Sequence, residues 1–124
     1  MAERRGDLEA ADRYFQESLT IDRELADSLG TPESRRDLAL SLNSVGRVAE
    51  QSGDLEAADR YYKESMTILH EIAELVGTPQ AIEDLALALG SRVHIAAELG
   101  DSALAEHLEA ELSNLEEIVV ENRS

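Results

Sequence analysis

The nine-residue segment Gly-Asp-Leu-Glu-Ala-Ala-Asp-Arg-Tyr occurs twice in this chain, at residues 6–14 and again at residues 53–61. A fainter third copy begins at Gly100, so the spacing is about 47 residues each time. When the first block of 47 residues is shifted onto the second, about 25 positions are identical. This self-similarity predicts a repeat architecture, in which each unit buries its apolar face against the next unit.

The composition indicates which kind of repeat this is. Leu and Ala dominate the apolar residues, while the chain has only 7 Gly, 2 Pro and 3% aromatic residues. This balance favours packed helices over sheet. We therefore expect an all-α fold, with residues 1–124 forming a single array.

Two kinds of turn divide the helices. Residues 29–32 recur as residues 76–79, and each copy combines a glycine that can end a helix with a Thr N-cap and a Pro at the first helical position. Residues 52–54 and 99–101 combine a glycine with an aspartate N-cap, and residues 5–7 have the same chemistry. These turns predict five helices, with neighbours antiparallel, near residues 7–29, 33–52, 55–76, 80–99 and 102–121.

The first residues carry a separate prediction. Residues 2–7 align with residues 49–54, which are the last turn of a predicted helix and the turn that follows it. We therefore expect the chain to begin inside a repeat. This predicts either that the chain is a segment of a longer array or that another copy covers the first helix, and Phe15 and Leu19 are the residues expected on that oligomer face.

The charge of the chain limits its partners. With 27 Asp plus Glu against 11 Lys plus Arg, the formal charge is −16, which disfavours nucleic acid and anionic membrane surfaces. Such a charge suits a basic ligand, and the alternative interpretation is that it only keeps the chain in solution. The chain has no cysteine, no apolar run long enough for a membrane span and no secretion signal. We expect a cytoplasmic setting.

No motif predicts catalysis or a bound metal. Glu74 stands where the helix motif of zinc proteases has its second histidine after His70, and His94 and His107 lack the ligand spacing of a dinuclear site. No glycine-rich phosphate loop or nucleophile turn is present either. We therefore predict that the chain is not an enzyme, has no metal site and uses no cofactor.

Residues 42–65 carry a family resemblance. They place small and large side chains at fixed spacings, namely Leu42, Val45, Gly46, Ala49, Gly53, Ala58, Tyr62 and Ser65. This pattern resembles the tetratricopeptide repeat, a helix–turn–helix unit in which small residues let the paired helices approach. The resemblance implies a right-handed α-solenoid of antiparallel helix pairs. It divides the array into a half repeat (1–29, second helix only), a full pair (33–76) and a degenerate terminal pair (80–121).

The chain also departs from the family pattern. The usual period is about 34 residues, so roughly 13 residues are extra in each repeat, and continuous apolar stripes predict longer helices rather than inserted loops. In this respect the chain is similar to the long-helix variants of kinesin light chains and bacterial regulatory proteins. Arg92 and Val93 replace the residues equivalent to Val45 and Gly46, so the packing of the last repeat is in question.

The resemblance implies a function as well. The first helix of each pair in this family lines a concave groove that receives a peptide or a partner helix. By motif position the groove residues are Asn43, Ser44, Arg47, Glu50, Gln51, Ser91, His94 and Glu98. The leading interpretation is a non-catalytic scaffold that binds a protein partner in this groove. The alternatives are self-assembly through the first helix and a regulatory domain that senses a peptide.

Overall fold

The chain is built from five consecutive helices. The structure, a computed structural model, describes residues 2–123, with side chains described over residues 6–118 and at Glu121. The helices are α1 (Ala2–Leu29), α2 (Pro32–Gln51), α3 (Leu55–Val76), α4 (Pro79–Glu98) and α5 (Ser102–Arg123), and no strand occurs within residues 2–123. Each helix packs mainly against its neighbours in sequence. The predicted all-α fold with five helices is confirmed.

The turn chemistry sets the helix boundaries. The Thr31 side chain accepts a hydrogen bond from the Ser34 backbone N–H and completes a capping box at the start of α2, and Thr78 caps α4 by accepting from the Ala81 N–H. Gly77 ends α3 with a φ of 60°, in the left-handed region that favours glycine. The turns are short, and the helices have 20–28 residues each.

The predicted turn at residues 5–7 is wrong. Helix α1 begins at Ala2 and continues through Gly6, whose φ is not positive. A glycine inside a helix costs only about 1 kcal/mol relative to alanine, so it ends a helix only where the surrounding packing requires a turn. At Gly53 the chain turns, and α2 packs against α3. In α1 the identical segment, residues 6–14, is entirely helical. The local sequence was therefore insufficient to predict this turn.

The helices α2 and α3 approach closely at a glycine. A Cβ atom built on Gly46 would lie 2.8 Å from Cε1 of Tyr62 and 3.3 Å from Cβ of Tyr61. Ala58 and Tyr62 are 0% and 3% exposed, so the small residue and the aromatic ring both belong to the interior. The predicted role of these small residues, which is to let the two helices come together around the ring of Tyr62, is confirmed.

The last repeat keeps its packing despite its altered sequence. Arg92 occupies the position equivalent to the buried Val45, and it is itself only 8% exposed. Its Nε donates a hydrogen bond to Oδ1 of Asp59 on α3, at 3.3 Å. Leu89 and Ile95, on either side of Arg92, are 1% and 0% exposed. The interface of α3 and α4 therefore accommodates the arginine by pairing it with a carboxylate.

This pairing leads to a prediction about stability. Asp59→Ala should lower the free energy of unfolding by about 1 kcal/mol, because the buried guanidinium would lose its paired carboxylate. Adding Arg92→Val to this variant should recover most of the loss, because it introduces the valine that the equivalent position, Val45, already has. Urea denaturation followed by circular dichroism measures both variants. An Asp59→Ala variant as stable as the unaltered chain would contradict the assigned role of the pair.

Candidate functional site

Helices α2 and α4 lie side by side and run in the same direction. Near their N-termini Nε of Arg36 lies 2.6 Å from Oδ2 of Asp84, and near their C-termini Oε2 of Glu50 lies 3.2 Å from Nε2 of His94. The carboxylate of Asp84 is almost fully buried and raises the pKa of Arg36 through its hydrogen bond. These two contacts fix the relative positions of the two helices at both ends.

A depression opens along these helices, and we call it the groove. Helix α2 contributes Arg47 and Glu50 to the lining of the groove, and helix α3 contributes Tyr62. The lining from α4 and α5 is Glu83, Ala86, Leu87, Gly90, Ser91, His94, Leu112 and Glu116. The groove is therefore formed by three helices and a tyrosine, rather than by one helix face.

Four of the predicted groove residues line this depression and four do not. Arg47, Glu50, Ser91 and His94 are part of the lining. Glu98 lies beside it, within 2.8 Å of His94 through its carboxylate.

The remaining predicted positions point elsewhere. Gln51 lies in a second depression between α1, α2 and the start of α3. The Ser44 hydroxyl donates to the Leu40 backbone carbonyl at 3.2 Å, so it is engaged with its own helix. The Oδ1 atom of Asn43 is buried without a hydrogen-bond partner among the described residues. Asn43 therefore does not present its amide oxygen to the groove.

The groove combines one exposed apolar side chain with acidic surroundings. Leu87 is 71% exposed at the surface of α4. Three glutamates line the same depression, Glu50, Glu83 and Glu116, and Arg47 is the only arginine or lysine that the described lining contributes. Motif position did not predict Leu87. The signal that could have found it is its place off the buried stripe of α4, which includes Leu85 and Leu89.

A buried tyrosine holds one of these glutamates in place. The Tyr62 hydroxyl donates to Oε1 of Glu50 at 3.0 Å. Burial of the ring and the neighbouring Glu50 carboxylate raise the pKa of Tyr62 above its usual range. The phenol therefore keeps its proton at neutral pH and remains a donor to Glu50. This leaves the second oxygen of Glu50, Oε2, directed at His94.

The structure brings together a cluster that sequence reasoning missed. Oε2 of Glu50, Nε2 of His94 and Oε1 of Glu98 all lie within 4.8 Å of one another. His94 and Glu98 are one helical turn apart on α4, but Glu50 comes from α2, so spacing along a single helix does not show the convergence. The prediction that no metal-ligating set would form around His94 considered spacing along the chain alone.

The predicted oligomer face is turned inward. Leu19 is 7% exposed and belongs to a cluster with Leu38, Leu42 and Val45 of α2. Phe15 is partly buried against the same cluster. The prediction of an exposed face is therefore wrong for Leu19, because α2 covers this side of α1. The large apolar side chains of α1 that are exposed within the described residues 6–29 are instead Tyr14, Ile21, Leu25 and Leu29.

The comparison with protein families identifies the repeat. A family model described as "Tetratricopeptide repeat" matches residues 39–68, which span most of α2, the turn at Gly53 and the first part of α3. Residues 39–68 therefore match one tetratricopeptide repeat. The matched segment of the tetratricopeptide repeat contains Gly46, Ala58 and Tyr62, the residues at the close approach of the two helices. No curated protein and no solved structure gives a significant match.

The family sets the general class of function. Tetratricopeptide repeats generally mediate protein–protein interaction and typically serve as non-catalytic scaffolds. No helix in the described part of the chain is both long and apolar enough to cross a membrane. Four of the eight residues predicted by motif position line the groove, which makes it the candidate binding surface of the chain.

Proposed function

We propose that this chain is a non-catalytic scaffold that binds a segment of a partner protein in the groove between α2, α4 and α5. The observation that carries the proposal is an exposed leucine, Leu87, that lines the same depression as three glutamates. Leu87 would provide apolar contact area, and the glutamates around it would select for positive charge. The partner segment is accordingly a peptide or helix that presents an apolar residue flanked by Lys or Arg.

The energetics support an anchor of this kind. Leu87 has most of its surface in water, and fully burying a leucine side chain is worth about 1.5–3 kcal/mol. Charged residues around an apolar anchor contribute mainly specificity and association rate. The formal charge of −16 extends this preference for basic segments beyond the groove itself.

Self-assembly has less support from the positions of its predicted residues. Leu19 packs within the chain, so Phe15→Glu would disturb the contact between α1 and α2 whether or not the protein self-associates. A regulatory role that senses a peptide would use the same groove, and it would differ from scaffolding only in the consequence of binding.

The proposal is tested with a displayed library of random peptides selected against the purified chain. We expect the selected peptides to combine an apolar residue with Lys or Arg, and the affinity of a synthetic selected peptide to fall with added salt. Leu87→Ser should weaken the binding of that peptide about tenfold, since losing about 1.4 kcal/mol corresponds to that factor. Fluorescence anisotropy with the labelled peptide measures the change.

Leu75 offers a matched control on α3. It is 70% exposed, against 71% for Leu87, and lines neither depression. Leu75→Ser should therefore leave the affinity of the selected peptide unchanged. If no peptide is enriched, or if both leucine variants weaken binding equally, the groove is not the binding surface.

A further inference from the structure

We propose that Glu50, His94 and Glu98 form a binding site for a divalent transition-metal ion of the Zn²⁺ class, where the C-terminal parts of α2 and α4 meet. The site lies at one end of the groove. Two of its three residues, Glu50 and His94, also line the groove, but the donor atoms all belong to this chain, so Zn²⁺ binding can be measured without a partner.

The donor atoms already have nearly the spacing that such an ion requires. Nε2 of His94 lies 3.2 Å from Oε2 of Glu50 and 2.8 Å from Oε1 of Glu98. Zn²⁺ bonds imidazole nitrogen and carboxylate oxygen at about 2.0–2.2 Å, so neighbouring donors in its coordination shell lie roughly 3 Å apart. Small side-chain rotations would therefore place the ion between the three donors, with water completing the coordination.

Two carboxylates converge on a single imidazole nitrogen in this arrangement. Nε2 of a neutral imidazole carries at most one proton and can direct it to only one of the two carboxylates. Glu50 and Glu98 carry like charges and converge on that one nitrogen atom. A divalent ion in place of the proton would interact favourably with both carboxylates and with the lone pair of the imidazole. The mixed nitrogen and oxygen donors suit Zn²⁺ better than Mg²⁺ or Ca²⁺, which prefer oxygen ligands alone.

The neighbouring structure holds the ligands in position. The hydrogen bond from Tyr62 to Oε1 of Glu50 occupies one carboxylate oxygen and leaves Oε2 for the metal. Residues that hydrogen-bond to metal-ligating carboxylates orient them and strengthen binding. The side chain of His94 is 58% exposed, so an ion has access from solvent. The site is therefore partly preorganised and also open.

Two other histidines of the same chain provide internal controls. His70 pairs with Glu74 at 3.4 Å, and His107 pairs with Glu111 at 3.0 Å, each four residues along its helix. Both pairs have the same spacing along the helix as His94 and Glu98, with His107 pairing through Nε2 and His70 through Nδ1. Within the described residues neither pair has a third donor, because the one group of three potential ligands is that around His94.

The test is calorimetric titration of the untagged, chelator-treated chain with Zn²⁺. We expect one ion per chain, and we expect His94→Ala and Glu50→Gln each to weaken binding at least tenfold. His107→Ala and His70→Ala should leave the affinity unchanged. Tyr62→Phe retains the buried ring and should weaken Zn²⁺ binding about tenfold through loss of the hydrogen bond to Glu50. Circular dichroism verifies that each variant is folded.

The variants distinguish a specific Zn²⁺ site from the general attraction of cations to an acidic protein. Absence of Zn²⁺ binding, or equal losses in the His94→Ala and His107→Ala variants, would overturn the proposal. Substitution with Co²⁺ gives a second readout, because imidazole and carboxylate coordination changes its visible absorption. We expect this change in the unaltered chain, and its persistence in His94→Ala would also count against the site.

Discussion

Leu89→Ala should lower the free energy of unfolding by about 2–5 kcal/mol, which is the cost of removing a fully buried leucine side chain and leaving a cavity. Leu89 is 1% exposed and belongs to the larger core cluster, in which α3, α4 and α5 meet. The cavity would therefore open in the core where α3, α4 and α5 pack together. Urea denaturation followed by far-ultraviolet circular dichroism measures the change.

Leu87 on the same helix provides the control for this prediction. It is 71% exposed, and Leu87→Ala makes the same chemical change at almost the same helix position. Its effect on stability should stay within about 0.5 kcal/mol, as for most surface substitutions. Comparable losses in the two variants would show that α4 does not pack in this orientation, and would remove Leu87 from the groove.

The sequence was sufficient to predict the helices and most of their turns because the signals for both are local. Thr31 and Thr78 each precede a proline and follow a glycine, and this combination acts through backbone groups within a few residues. Gly6 shows the limit of such signals. Residues 6–14 are identical to residues 53–61, but a helix continues through Gly6, because tertiary contacts decide whether a glycine ends a helix.

The candidate site was less predictable because it depends on which helix faces come together. Glu50 and His94 were both predicted by motif position, but their contact joins α2 to α4 across 44 positions of the sequence. Leu19 shows the opposite error, since an apolar stripe gives no information about which neighbour covers it. Arg92 was a departure from the family pattern, and only the position of Asp59 on α3 explains why it is tolerated.

Gly46→Ala should destabilise the chain, and Gly90→Ala should stabilise it, although both replace a helical glycine with a better helix former. At Gly46 the added methyl group would meet Cε1 of Tyr62 at 2.8 Å and Cδ1 of the same ring at 3.0 Å. The ring is 3% exposed and has little space to move. Overpacking of this kind costs about 1–3 kcal/mol, which exceeds the gain in helix propensity of about 1 kcal/mol.

At Gly90 nothing lies within 4 Å of the added methyl group, so only the gain in helix propensity remains, about 0.5–1 kcal/mol. The free energies of unfolding of the two variants should thus differ by about 2 kcal/mol, with changes of opposite sign. We expect the urea denaturation midpoint of Gly46→Ala to lie below that of the unaltered chain and the midpoint of Gly90→Ala to lie above it. A shift of both midpoints in the same direction would contradict the close approach of α2 and α3. Because displacement of Tyr62 also releases Glu50, Gly46→Ala should in addition weaken Zn²⁺ binding, whereas Gly90→Ala should not.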